Sequence, residues 1–191
     1  MEEVKEVEKV EKVEKVEILK GKEKIENQLL RACESGNIED VKKFLDQGGN
    51  VNVQGESGET PLFIACFHGY LEIVKLLFSD KRVKLNKADN SGITPFYTAC
   101  ENGHLQVVKY LLATGRISLG VKNSQGKTVL DHPVQQKTVL DHAKEKGYTE
   151  IIELIQAFQK NPTQERAKLA QEFGFLGFLG KSLFFCNFCS N

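Results

Sequence analysis

Apolar residues recur through the middle of the chain in blocks with helical spacing. Ile38, Val41, Phe44 and Leu45 form the first, Leu71, Ile73, Val74, Leu76 and Leu77 the second, and Leu105, Val107, Val108, Leu111 and Leu112 the third. Residues three and four apart share one helix face, so each block predicts an amphipathic helix. Ahead of each block lies a shorter apolar stretch built round an Ala-Cys pair. It runs from Thr60 to Gly69 and again, with changes, from Thr94 to Gly103, and a worn copy ends at Arg31-Ala32-Cys33-Glu34-Ser35-Gly36. Ala32, Ala65 and Ala99 are separated by steps of 33 and 34 residues. A fixed period of that length predicts an array of helix pairs stacked side by side.

Polar turns punctuate the array. Gln54-Gly55-Glu56-Ser57-Gly58, Asp89-Asn90-Ser91-Gly92 and Asn123-Ser124-Gln125-Gly126 each precede a repeat. Glycine there reaches positive φ without steric cost, as a tight reversal requires. Thr60 stands where it caps the following helix, with Pro61 in its first turn, where a missing N–H loses nothing. Turn, Gly-x-Thr-Pro, Ala-Cys, an apolar second helix and the exits Val51-Asn52 and Leu85-Asn86 together resemble the ankyrin repeat over about residues 27–158. The resemblance implies an all-α dominated repeat solenoid with short β-hairpin-like turns, acting as a protein-binding module. It departs from the family pattern at Phe63 and Tyr97, where members usually carry histidine bonded back to the threonine. The expectation is a helix start held by packing in place of a side-chain hydrogen bond, with aromatic groups near the inner face.

Three regions are expected: a charged low-complexity arm over 1–26, the array over 27–160 and a short helix with a Phe/Gly-rich tail over 161–191. The array divides into units at 27–57, 58–91, 92–125 and 126–160. In the arm, Val4, Val7, Val10, Val13 and Val16 repeat every third residue, so they smear round a helix and form no coiled-coil seam. The first unit has no turn before it and reads as a cap. The connections Ser79 to Lys84 and Ala113 to Ser118 are one residue longer than the first and are expected to bulge on the outer edge. In the fourth unit, Lys127 to His132 recurs verbatim as Lys137 to His142. Ala143 keeps the family spacing to Gly147, so the second copy is expected to form the inner helix while residues near 129–137 loop out. Asn161, Pro162 and Gln164 read as a further helix start, whose Leu169, Ala170 and Phe173 would lie on the exposed end of the stack.

Charge narrows the partners. Lysine plus arginine equals aspartate plus glutamate at 26 each, so no global field draws the chain to nucleic acid. The start Met1-Glu2-Glu3 has no apolar signal core, which places the expected site of action inside the cell, in the cytoplasm. Cys33, Cys66 and Cys100 fall at one repeat position and read as buried thiols. Cys186 and Cys189 have metal-ligand spacing but no second pair nearby, so they read as incidental tail thiols, with lipidation as the alternative. Asp131-His132 and Asp141-His142 lack a nucleophile placed with them. No catalysis, cofactor or metal is expected.

The family's binding surface is made of turn tips and the exposed side of each first helix. Carried onto this chain it comprises Gln54, Glu56, Ser57, Glu59, Phe67 and His68 in the second unit. The third supplies Ala88, Asn90, Ser91, Ile93, Glu101 and Asn102, and the fourth Ser124, Gln125, Lys127, Glu145 and Lys146. Phe67 and Ile93 are apolar where solvent is expected, and are the candidate anchors. The expected partner is a protein bound by a monomeric array. The alternatives are a regulatory module of a larger kinase or channel assembly, and a peripheral membrane adaptor using the tail from Phe173 to Cys189.

Overall fold

The structure, a computed structural model, describes residues 28–117, 119, 128 and 138–175. Helix α1 covers residues 28–35 and is followed by α2 (Ile38–Asp46). The second unit contributes α3 (Pro61–His68) and α4 (Leu71–Ser79), and the third α5 (Pro95–Glu101) and α6 (Leu105–Ala113). After the interruption come α7 (Val139–Lys146), α8 (Thr149–Lys160) and α9 (Pro162–Glu172). Among the described residues there is no β-strand.

Two layers result. The inner helices pack in succession, α3 on α5 and α5 on α7, while α2, α4, α6 and α8 form the outer layer. Where layers and units meet, only a small side chain fits, and Ala32, Ala65, Ala99, Ala143, Cys33, Cys66 and Cys100 are all buried. Burial pushes the Cys33 thiol up to about 12, with Glu34 adding to it, and raises Cys66 and Cys100 as well. At neutral pH these are inert packing groups, because the thiolate is the reactive form. In the fourth unit Lys144 follows the alanine and is exposed.

A second repeated contact joins the units. Each inner helix of the first three units ends in a turn whose glycine has positive φ, and the ring of the next unit covers it: Tyr70 over Gly36, His104 over Gly69 and Tyr148 over Gly103. A Cβ on Gly69 would lie 2.4 Å from His104 Nδ1, so conformation and space both require glycine. His104 Nε2 also donates to the Phe67 carbonyl at 2.8 Å, which fixes its tautomer because a carbonyl can only accept.

The helix starts differ from expectation. Thr60 Oγ1 accepts from the Phe63 N–H and Thr94 Oγ1 from the Tyr97 N–H, both at 3.2 Å. These starts are therefore held by side-chain hydrogen bonds as well as by packing; losing the family histidine does not remove the threonine cap. In the fourth unit Thr138 caps α7, and Asp141 closes the reciprocal bond with its carboxylate. The inner helix thus begins at Val139, in the second copy of the duplication. Residues 129–137, expected to loop out, lie outside the described residues.

Each longer connection is tied back to the preceding unit by an arginine, while Ser118 of the second lies outside the described residues. Arg82 Nη1 donates to the Gly48 and Gly49 carbonyls just beyond α2, and Arg116 Nη1 to the Phe78 carbonyl of α4. Each guanidinium satisfies carbonyls near the end of the preceding outer helix, where positive charge is also favoured by the helix dipole. Val83 and Ile117, one residue on, are buried. Helix α9 differs as well: it lies across α6 and α8 on the outer layer and does not stack on the end as a further unit. Its own Leu169 and Ala170 are buried, and Lys109 Nζ pairs with Glu172 at 3.0 Å. Phe173 and Phe175 pack on the Tyr110 ring, so the first two tail phenylalanines fold back on the array. The arm over 1–26, the later tail and Cys186 and Cys189 lie outside the described residues. No helix among the described residues is long and apolar enough to cross a membrane.

Candidate functional groove

The second-unit turn is rigid because it bonds to itself. Gly55 N–H donates to the Glu59 carbonyl and Gly58 N–H to the Gly55 carbonyl, while Gln54 Nε2 reaches the Gly58 carbonyl at 2.8 Å. The third-unit turn repeats the first two of these bonds at Asp89, Gly92 and Ile93. The tips are also tied to each other: Asn90 N–H donates to the Ser57 carbonyl and Asn90 Nδ2 to the Glu56 carbonyl. Successive tips therefore hold their spacing without help from a ligand.

Between the second-unit turn and helices α1 and α3 lies a groove of about 450 Å³. Glu56, Ser57 and Glu59 line it from the turn, and Phe63, Ile64, Phe67 and His68 from α3. Leu30 and Glu34 form the opposite wall. Phe67 is 47% exposed, the one large hydrophobic side chain so placed among the described residues. Its backbone is held by the His104 bond, and its ring meets His68 edge-on at 5.1 Å. His68 stacks on Tyr70 in turn, at 5.3 Å. The exposed phenyl therefore stands on a supported base and loses little entropy when covered.

Five of the six second-unit candidates, Glu56, Ser57, Glu59, Phe67 and His68, line this groove. Gln54 is used in closing the turn. The third-unit candidates do not extend it. Ile93 is half-buried and packs on the core, so the exposed anchor expected there does not exist. Ala88 is also half-buried, Asn90 bridges the tips beside exposed Ser91, and Asn102 Nδ2 bonds back to Thr98. Glu101 lies 3.9 Å from His142 Nδ1, and its carbonyl accepts from Lys146 Nζ. Glu145 is exposed on α7, 4.0 Å from His142. Ser124, Gln125 and Lys127 lie outside the described residues.

Leu30, Glu34, Phe63 and Ile64 were not among the sequence candidates. The Ala-Cys register carries the signal for three of them: Leu30 and Phe63 stand two residues before the alanine, and Glu34 stands two after it, where the next unit has Phe67. Chemically the groove offers an apolar floor, three carboxylates and an imidazole, with no lysine or arginine among its lining residues. Among the described residues no group of histidine, cysteine, aspartate or glutamate could hold a metal ion.

A family model described as ankyrin repeats, in three copies, matches residues 29–123 and 81–166. Osteoclast-stimulating factor 1 of Rattus norvegicus is 37% identical over 65 residues, 34% of this chain and 30% of that protein. Protein phosphatase 1 regulatory subunit 27 of Homo sapiens is 43% identical over 51 residues, 27% of this chain and 33% of that protein. The matched stretch thus spans about a third of the length of these curated relatives.

Proposed function

Because the chain belongs to the ankyrin-repeat family, whose repeats are protein-interaction modules, we propose that it is a non-catalytic adaptor that binds a protein through the groove between its first and second units. The observation that carries this reading is Phe67, an exposed phenyl on a supported base inside a preformed cavity. A rigid receptor gives up little entropy on binding, and an aromatic side chain that a partner can desolvate is the usual centre of an interface. In this reading Glu56, Ser57, Glu59 and His68 surround the anchor, while Asn90 and Ser91 extend the contact along the tips. Gln125 and Lys127 would continue it in the fourth unit. The array proper is taken as 27–160, with α9 bound to its outer layer.

A regulatory role within a larger assembly is the second reading, favoured by the likeness to a protein named as a phosphatase regulatory subunit. Both readings use the same groove. Affinity capture from the cell of origin with the full chain, followed by mass spectrometry, tests them together. Phe67→Ala should deplete the specific partner about tenfold or more, the weight of an interface hot spot, with the thermal midpoint nearly unchanged. Equal recovery by wild type and variant would remove the groove. A catalytic subunit as the captured partner would favour the regulatory reading.

A further inference from the structure

The groove carries more chemistry than a generic protein contact requires. Glu34 approaches it from α1 and Glu56 and Glu59 from the second-unit turn, and no lysine or arginine lines it. The whole chain is balanced at 26 basic and 26 acidic residues, so this concentration of negative charge is local. It also follows the repeat register: the position two residues past the alanine holds Glu34, Phe67, Glu101 and Glu145 in the four units. One phenyl therefore stands in a row of carboxylates. Glu34 and Glu56 are exposed and make no ion pair among the described residues, whereas Glu101 and Glu145 have His142 between them. Glu59 is half-buried over Gly55, where an added Cβ would lie 3.0 Å from its Oε2.

Resting on the groove reading above, we propose that the partner presents an arginine, which enters between Phe67 and the three carboxylates. A guanidinium has a flat apolar face and an edge of N–H donors. The face suits the exposed phenyl and the edge suits carboxylates on more than one side. An ammonium group has no such face and would use the carboxylates alone. An acidic segment would be repelled. Of the chain's four arginines, Arg82 and Arg116 are held by carbonyls on the outer layer.

The test uses the full ¹⁵N-labelled chain and three amidated peptides of one length, identical except for arginine, lysine or glutamate at two positions flanking a leucine. Arginine peptide should shift the groove amides around Glu34, Glu56 to Glu59 and Phe67 in a saturable manner. The lysine peptide should bind several-fold more weakly, and the glutamate peptide should give no response. Glu56→Gln with Glu59→Gln should weaken the arginine peptide about fivefold or more, as should raising salt from about 0.05 M to about 0.5 M, because exposed charge pairs are screened. Glu34→Gln is the independent variant should the double change disturb the turn. Absence of saturable shifts, equal binding of the lysine or glutamate peptide, or indifference to the glutamine variants would overturn the proposal, as would self-association filling the groove. The two readings fail separately. If the arginine peptide does not bind while Phe67→Ala still abolishes capture of the cellular partner, the groove stands without its arginine. If capture ignores Phe67, the groove itself is lost.

Discussion

Equivalent positions in the second and third units meet different fates. Phe63 and Phe67 of the second unit correspond to Tyr97 and Glu101 of the third, since each pair flanks the Ala-Cys element at the same offsets. In the second unit they line an open groove with Phe67 at 47% exposure. In the third, Tyr97 is 1% exposed with the His142 ring edge-on at 6.1 Å, and Glu101 lies beside His142 and Lys146. Burial raises the Tyr97 phenol, and Glu101 reinforces the shift, so the ring is a neutral packing group. A repeat position is therefore not functional or structural by itself. The neighbouring helix decides: α7 of the following unit brings His142 against Tyr97 and Glu101, whereas α1 of the preceding unit offers Leu30 and Glu34 to the groove beside Phe67.

The largest expected effect breaks this comparison if it fails. Tyr97→Ala removes a fully packed ring and should destabilise the array by about 3–5 kcal/mol, as large-to-small core changes do. Phe67→Ala, two residues past the equivalent alanine in the neighbouring unit, should change stability by no more than about 0.5 kcal/mol. Urea denaturation of both variants is the measurement. Similar losses in both would mean that Phe67 is a packing residue and that the contrast between filled and open junctions is false.

Much of this was legible in the chain. The period, the caps at Thr60 and Asn161, and the buried Ala-Cys column follow from local chemistry stated in the chain itself. That five second-unit candidates would share one groove was legible too, because turn tips and the residue after the cysteine lie on the same side of the repeat. What escaped was decided between units. Ile93 looks exposed in a turn, yet its side chain folds onto the core. The path of α9 across α6 and α8 depends on Tyr110 and Lys109 being available on the outer layer, which no pattern inside residues 162–172 encodes. The roles of Arg82 and Arg116 likewise depend on carbonyls more than 30 residues earlier.

A second, smaller contrast sharpens the account of how neighbours fill space. Gly103 and Gly147 have nearly the same positive φ, 77° and 75°. A Cβ on Gly103 would sit 2.6 Å from the Tyr148 ring, whereas one on Gly147 meets nothing within 4 Å. Gly147→Ala should therefore carry the left-handed backbone penalty alone, about 1 kcal/mol. Gly103→Ala should add displacement of the ring that joins the third and fourth units, for about 2–4 kcal/mol in total. Equal losses in urea would show that Tyr148 moves aside without consequence and that the ring-on-glycine contacts do not hold units together.

The smallest expected effect concerns the third residue of each inner helix, held by Phe63, Tyr97 and Asp141 in successive units. Only the last can titrate in the acid range. The Thr138 backbone N–H donates to the Asp141 carboxylate, the Thr138 hydroxyl does so too, and together they hold its pKa below the ordinary aspartate value. A carboxyl whose folded pKa is depressed stabilises the fold fully above its unfolded pKa, about 3.9. That contribution is lost as pH falls through the lower folded value. The difference in unfolding free energy between wild type and Asp141→Asn should accordingly stay constant from pH 7 down to about 5 and shrink below about 4. Asp40 at the first outer helix is a suitable control, because its change should leave the acid limb of the fourth unit untouched. A difference that stays flat to the lowest pH would show that Asp141 acts through shape alone. The start of α7 would then be held as α3 and α5 are, by a threonine hydroxyl and packing, and the fourth unit would lose the one acid-sensitive cap that distinguishes it from the two before it.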